Sequence, residues 1–143
     1  MKSFEKFIED GEVKERTPNP EQAKSLMKKS EKRLSYALNR EISDGNADLI
    51  LEDCYEAVRE TLDAFIIKEG YKSYSHEASI VYAFEELNIT YNKANKLNKF
   101  RKLRNDSKYR GEDIKIKEAE DIRKIAKTTI PKLNSKFAEE VNK

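Results

Sequence analysis

NADLILEDCYEAVRETLDAFIIKEG, residues 46–70, decides the fold of this 143-residue chain. Ile50, Leu51, Cys54, Tyr55, Ala57, Val58, Thr61, Leu62, Phe65 and Ile66 keep a helical period, yet together they cover well over one face. A helix that is apolar round so much of its circumference needs neighbours on several sides. It is therefore expected at the centre of a bundle, starting at Asn46 and ending at Gly70, where a left-handed C-terminal residue belongs. Cys54 lies on the apolar face, so it reads as a buried, inert thiol rather than a nucleophile.

Upstream, Asn19 followed by Pro20 and Gln22 supplies a cap, a proline at the first helical position and a polar third residue. Ala23, Leu26, Met27, Ser30, Leu34, Ala37 and Leu38 then form one stripe, predicting a helix over 20–40 that stops at SDGN. Before it, Phe4, Phe7 and Ile8 mark a short helix over 3–10, and residues 11–19 read as an extended connector. Downstream, YKSYSH is a polar and aromatic connector whose Ser75 can cap a short helix ending near Asn88. A basic helix over about 90–106 follows. From Ile116 to Val141 an unbroken apolar period favours one long helix in spite of Pro131, with a break at 128–130 as the other possibility. The expected architecture is all-α, an up-and-down bundle of about five main helices over 20–143 preceded by a short N-terminal helix and connector over 1–19, all in one domain.

Composition narrows the function. Hydrophobic residues are 37% and charged residues 39%, which suits a bundle with heavily charged outer faces. Four glycines and three prolines are too few for the turns of an all-β fold. The single cysteine excludes an internal disulfide and suits a reducing compartment, and no apolar run reaches membrane-spanning length. A cytoplasmic protein without membrane contact is expected. Glycine-rich phosphate loops, paired cysteines, two-histidine zinc motifs and nucleophile elbows are all missing, so neither a metal nor a cofactor is expected. The lone His76 reads as a surface or capping residue, and Tyr71, Tyr74 and Tyr82 read first as packing and second as base-stacking surfaces.

Charge is concentrated in residues 93–110, where eight Lys or Arg face one acid, Asp106. The local charge is about +7 in a chain whose total is +2, so everything else sums to about −5. Asn, Asp, Ser and Gly111 at its end predict that the helix frays or stops between Asn105 and Gly111. Arg101, Arg104, Asn105 and Lys108 fall at spacings of three and four and can present donors to phosphate oxygens together. The competing reading is a solvated helix face.

With the RNDSKYRG segment (104–111) added, the order of elements resembles the HEPN domain, a helical family found with minimal nucleotidyltransferases and in RNA-directed defence. The first long helix from Glu21, the segment CYEAVRETLDAFIIKEGYKSYSH (54–76), the basic helix ending in Arg104 and AEDIRKIAKTTIPKLNSKFAEEV (119–141) carry the resemblance. FEKFIEDGEVKERTPNP (4–20) is similar to the leader of archaeal members. Ribonuclease members of the family carry an arginine, an adjacent polar residue and a histidine separated from the arginine by four to six residues. Here Arg104 and Asn105 match, but Tyr109 stands in the histidine's place. With an ordinary pKa of about 10, tyrosine accepts protons poorly at neutral pH but still donates hydrogen bonds and stacks.

The resemblance implies a homodimer whose two basic segments share a cleft. Three readings follow. In the first, an RNA or nucleotide is bound through Arg101, Lys102, Arg104, Asn105, Lys108, Tyr109 and Arg110, alongside a nucleotidyltransferase partner. In the second, the chain is a metal-independent endoribonuclease, the toxin of a toxin–antitoxin pair, with Arg104 and Tyr109 catalytic and Asp106 or Ser107 assisting. In the third, the bundle is structural and Arg104 pairs with acids on the neighbouring helix.

Overall fold

The computed structural model describes residues 1–142. Its elements run α1 (Phe4–Glu9), β1 (Val13–Glu15), α2 (Pro20–Leu38), α3 (Ala47–Lys68), β2 (Tyr71–Ser73), α4 (His76–Glu86), α5 (Tyr91–Arg110) and α6 (Ile116–Val141). The all-α bundle of five main helices plus a short first one is therefore the observed fold. As its sequence requires, α3 is central: it packs against α2, α4, α5 and α6 and buries Ile50, Leu51, Leu62, Phe65 and Ile66 almost completely. Cys54 is fully buried, and burial pushes its thiol up to about 12, which keeps it protonated and inert.

Local chemistry sets the element ends. Asn19 Oδ1 accepts from the Gln22 amide at 3.0 Å and Pro20 opens α2, while Ser75 Oγ and Thr90 Oγ1 accept from Ala78 and Lys93 amides at the starts of α4 and α5. Just past the end of α2, Arg123 of α6 donates to the Arg40 carbonyl at 2.6 Å, tying that turn to α6. The α2–α3 seam is fixed by buried Ser30, whose hydroxyl donates to the Ala57 carbonyl at 2.7 Å. Phe65 meets Phe137 edge-on at 5.4 Å between α3 and α6.

Two expectations need adjustment. The connectors 11–19 and 71–76 are not both irregular: β1 and β2 pair antiparallel, with Val13 opposite Ser73, Lys14 opposite Lys72 and Glu15 opposite Tyr71. Gly70 makes the pairing possible, since its φ is +91° and a Cβ there would lie 2.9 Å from the Arg16 carbonyl oxygen. The basic helix runs a turn beyond 106, to Arg110, because Gly111 at φ +69° lets the Gly111 and Glu112 amides close on the Ser107 and Asp106 carbonyls. Asn46 flanks α3 but does not cap it with its side chain, which instead accepts from the Ser43 amide at 2.8 Å. The Ile116–Val141 stretch is one helix with Pro131 inside it. Among the described residues no helix is long and apolar enough to cross a membrane.

Candidate anion-binding site

Although α3 is central, one stripe of it is charged. Glu52, Glu56, Arg59 and Asp63, at spacings of four, three and four, form a half-buried polar seam along a mostly apolar helix. Two neighbouring elements close on that seam: α5 brings Arg104 and Lys108, and the start of α4 brings His76 and Ser79.

The result is a chain of alternating charges. Arg59 donates to Glu56 at 2.8 Å and to Asp63 at 2.8 Å, Ser79 donates to Asp63 at 2.8 Å, and Arg104 Nη2 donates to Glu56 at 2.8 Å. Glu52 lies 3.3 Å from the Lys108 amine and 3.9 Å from Arg104. Burial alone would raise the Glu56 carboxyl, but Arg59 and Arg104 hold it below its ordinary value. Asp63, with one arginine beside it rather than two, is carried up to about 6 by desolvation against the pull of Arg59 and Ser79.

Arg104, the arginine the sequence singles out, is thus a strut. Its side chain is only 8% exposed, Nη1 donates to Asn105 Oδ1 at 3.2 Å, and Nε is buried with no acceptor. The guanidinium carbon lies 5.8 Å from the ring centroid of buried Tyr55. Turned inward on acids, Arg104 offers no open guanidinium edge to solvent, contrary to the expectation that it presents donors to a ligand. Tyr109 is 71% exposed and is not drawn into the seam; the Lys108 amine lies 5.9 Å from its ring. Arg110 is exposed 4.0 Å from Asp106, and Lys102 is exposed, two residues and thus roughly 200° round α5 from Arg104. The seven basic-segment residues are therefore spread round the helix, and only Arg101, Arg104, Asn105 and Lys108 share its α3-facing side.

Arg101 differs from Arg104. Its Nε donates to Asn98 Oδ1 at 2.8 Å, but among the described residues no carboxylate pairs with it. It is half-buried, and its positive field falls on both Tyr55 and His76. His76, which reads in sequence as a surface or capping residue, is half-buried beside Tyr55 with ring centroids 6.2 Å apart. Burial, then Arg59, Arg104 and Arg101, lower its pKa against the opposing pull of Glu56, which leaves it neutral at physiological pH. No local motif could place His76 here, since the chain reverses at Gly70 between Tyr55 and His76. The polar stripe at 52, 56, 59 and 63 was the available signal.

A cleft of about 490 Å³ lies elsewhere. Asp44, Asp48, Glu112 and Asp113 line it, a charge that repels phosphate. No group of three or more metal-ligating side chains that could hold a metal ion is found among the described residues.

A helical bundle with a buried arginine–glutamate seam under a basic penultimate helix is the class these features define. The family model of the HEPN domain matches residues 23–135, and the chain belongs to that family. No curated protein and no solved structure matches it. Membership is consistent with an RNA- or nucleotide-related module.

Proposed function

We propose that the chain binds the phosphates of RNA or of a nucleotide through the α3-facing side of α5, with Arg101 as the ligand-facing guanidinium. Lys108 supports it from the same face, while Tyr109, Arg110 and Lys102 extend the positive field around the helix. Arg104 and Asn105 act from inside, through the Glu56 ion pair that fixes α5 against α3. One observation carries the reading: of the two arginines on this side, Arg104 is spent on acids and Arg101 is not. The family resemblance adds the proposed homodimer, with the two α5 segments facing one shared cleft, and a minimal nucleotidyltransferase as partner.

The test separates the two arginines. Fluorescence anisotropy with a labelled oligonucleotide should show Arg101→Ala weakening binding about tenfold, with a thermal midpoint close to that of the wild type. Arg104→Ala should instead cost about 1.5–3 kcal/mol in stability, because buried Glu56 loses one of its two guanidinium partners and keeps only Arg59. Equal affinity for Arg101→Ala and wild type across a salt titration defeats the reading.

His76 favours a second reading, metal-independent RNA cleavage. A neutral imidazole near two arginines can accept the proton that Tyr109 cannot, the 2′-oxygen then attacking phosphorus and the 5′-oxygen leaving with a proton from solvent. In that case RNA is cut in the presence of chelator, and His76→Ala abolishes cutting without loss of RNA affinity. Intact RNA, or undiminished cutting by His76→Ala, eliminates it.

A further inference from the structure

The α2 helix carries a second basic surface that plays no part in the site above. Lys32, Arg33 and Tyr36 lie three, four and seven residues after Lys29 and so share a face with it, and Arg40 follows just past the helix end. Arg33 is pinned, donating to buried Glu60 at 2.7 Å and lying 3.4 Å from Asp53. Lys29, Lys32 and Arg40 are different: among the described residues none of them pairs with a carboxylate, and both lysines are exposed. Tyr36 is 54% exposed, and the Arg40 guanidinium carbon lies 3.4 Å from its ring centroid, a stacked pair held open to solvent.

This face is continuous with α5. Lys29, Lys32, Arg33, Tyr36 and Asp53 line a cleft of about 280 Å³. A second cleft of about 370 Å³ shares Arg33, Tyr36 and Asp53 with it and continues past Arg40 and Leu49 to Glu52. Glu52 is the carboxylate that holds Lys108 of α5 at 3.3 Å. A groove therefore runs along the solvent side of α3 from one basic helix to the other. The acids of its floor are each paired in place, Asp53 sharing Arg33 with Glu60, Glu52 meeting Lys108 and Glu56 meeting Arg59 and Arg104.

We propose that Lys29, Lys32, Tyr36 and Arg40 form a second phosphate- and base-binding track, and that the ligand is a single-stranded polynucleotide crossing from α5 to α2 rather than a free nucleotide. The proposal rests on the α5 reading and names its ligand class. Unpaired cations beside an exposed aromatic ring are the combination that follows a backbone while stacking its bases. From Lys29 to Tyr36 the helix advances about 10 Å, with Arg40 just past its end. That length matches about three stacked nucleotides at roughly 3.4 Å each, and no mononucleotide can reach α5 from there. An acidic peptide would match the lysines but has no use for the Tyr36–Arg40 stack.

Labelled oligouridylates of four and sixteen nucleotides test this with the wild type, Lys29→Glu/Lys32→Glu, Tyr36→Ala and Arg101→Ala. The 16-mer should bind the wild type at least about tenfold more tightly than the 4-mer, and the charge-reversed protein should lose that advantage while keeping 4-mer affinity. Its slope of log K against log salt should fall by about 1.4, two phosphates at roughly 0.7 each. Tyr36→Ala should weaken the 16-mer about fivefold or more. Unchanged 16-mer binding by the charge-reversed protein overturns the α2 track. If Arg101→Ala meanwhile loses both oligomers, the α5 reading survives alone; a wild type that binds neither removes both. Competition by polyglutamate as effective as that by unlabelled 16-mer also overturns the proposal, since the groove would then take any polyanion.

Discussion

Asp63 shows how one side chain in the seam records the balance between burial and pairing. Arg59 and Ser79 both donate to it, yet its side chain is 16% exposed and desolvation holds its pKa up to about 6, against an ordinary 3.8. A carboxyl whose folded pKa exceeds its unfolded value stabilises the fold fully below the unfolded value, and that contribution is lost as pH rises through the folded one. The shift is worth about 3 kcal/mol. Asp63→Asn cannot titrate, so its stability relative to wild type, from urea unfolding, should climb by about that amount between pH 4 and pH 7. His76, shifted the opposite way, is present in both proteins and cancels from the difference. A gap that stays flat with pH would mean that Arg59 and Ser79 keep Asp63 ionised throughout.

At the scale of elements, α6 is where sequence and structure meet most directly. Pro131 lacks the amide that would bond the Lys127 carbonyl, yet apolar residues keep phase on both sides: Ile122, Ala126, Ile130, Leu133 and Phe137 are all buried. Packing holds the helix through a position that local propensity opposes. Pro131→Ala should therefore raise the unfolding midpoint, by up to about 3 kcal/mol in stability. A fall would show that the ring's packing beside Leu34 and Ile130 outweighs the missing bond.

The same contrast explains what the sequence made legible. Helix starts at Asn19 and Ser75 are local chemistry, and both lie at the observed caps, while the stop expected between Asn105 and Gly111 falls at the far end of that range. The β1–β2 pairing joins segments some 58 residues apart with no alternating pattern in either, so nothing local announces it. For the site, the basic run on α5 could be read directly, but its partners could not. Whether Arg104 or Arg101 meets a ligand depends on which one faces Glu56, and that is set by the packing of α5 on α3. Lys29, Lys32 and Tyr36 were hidden for another reason, since a lysine-rich face on an amphipathic helix looks the same whether it binds anything or merely meets water.

The whole molecule carries a net charge of only +2, with about +7 concentrated in residues 93–110. In the proposed homodimer two such segments border one cleft, and like charges across it oppose association. Within a Debye length, about 10 Å at 0.1 M salt, that repulsion is felt, and it weakens as salt screens it or as a polyanion fills the groove. Linkage then requires that RNA binding favour the dimer as much as dimerisation favours RNA. Analytical ultracentrifugation should show the monomer–dimer dissociation constant falling as salt is raised from about 50 to 200 mM without RNA, and falling further at 50 mM when a 16-mer is added. Arg101→Ala, with one cation fewer per copy, should dimerise more readily than wild type at low salt and respond less to RNA. A dimer that dissociates as salt rises would instead be held by opposite charges. The acidic end around Asp44, Asp48, Glu112 and Asp113 would then be the face that meets the basic helix of the second copy, and the two α5 segments would not share a cleft.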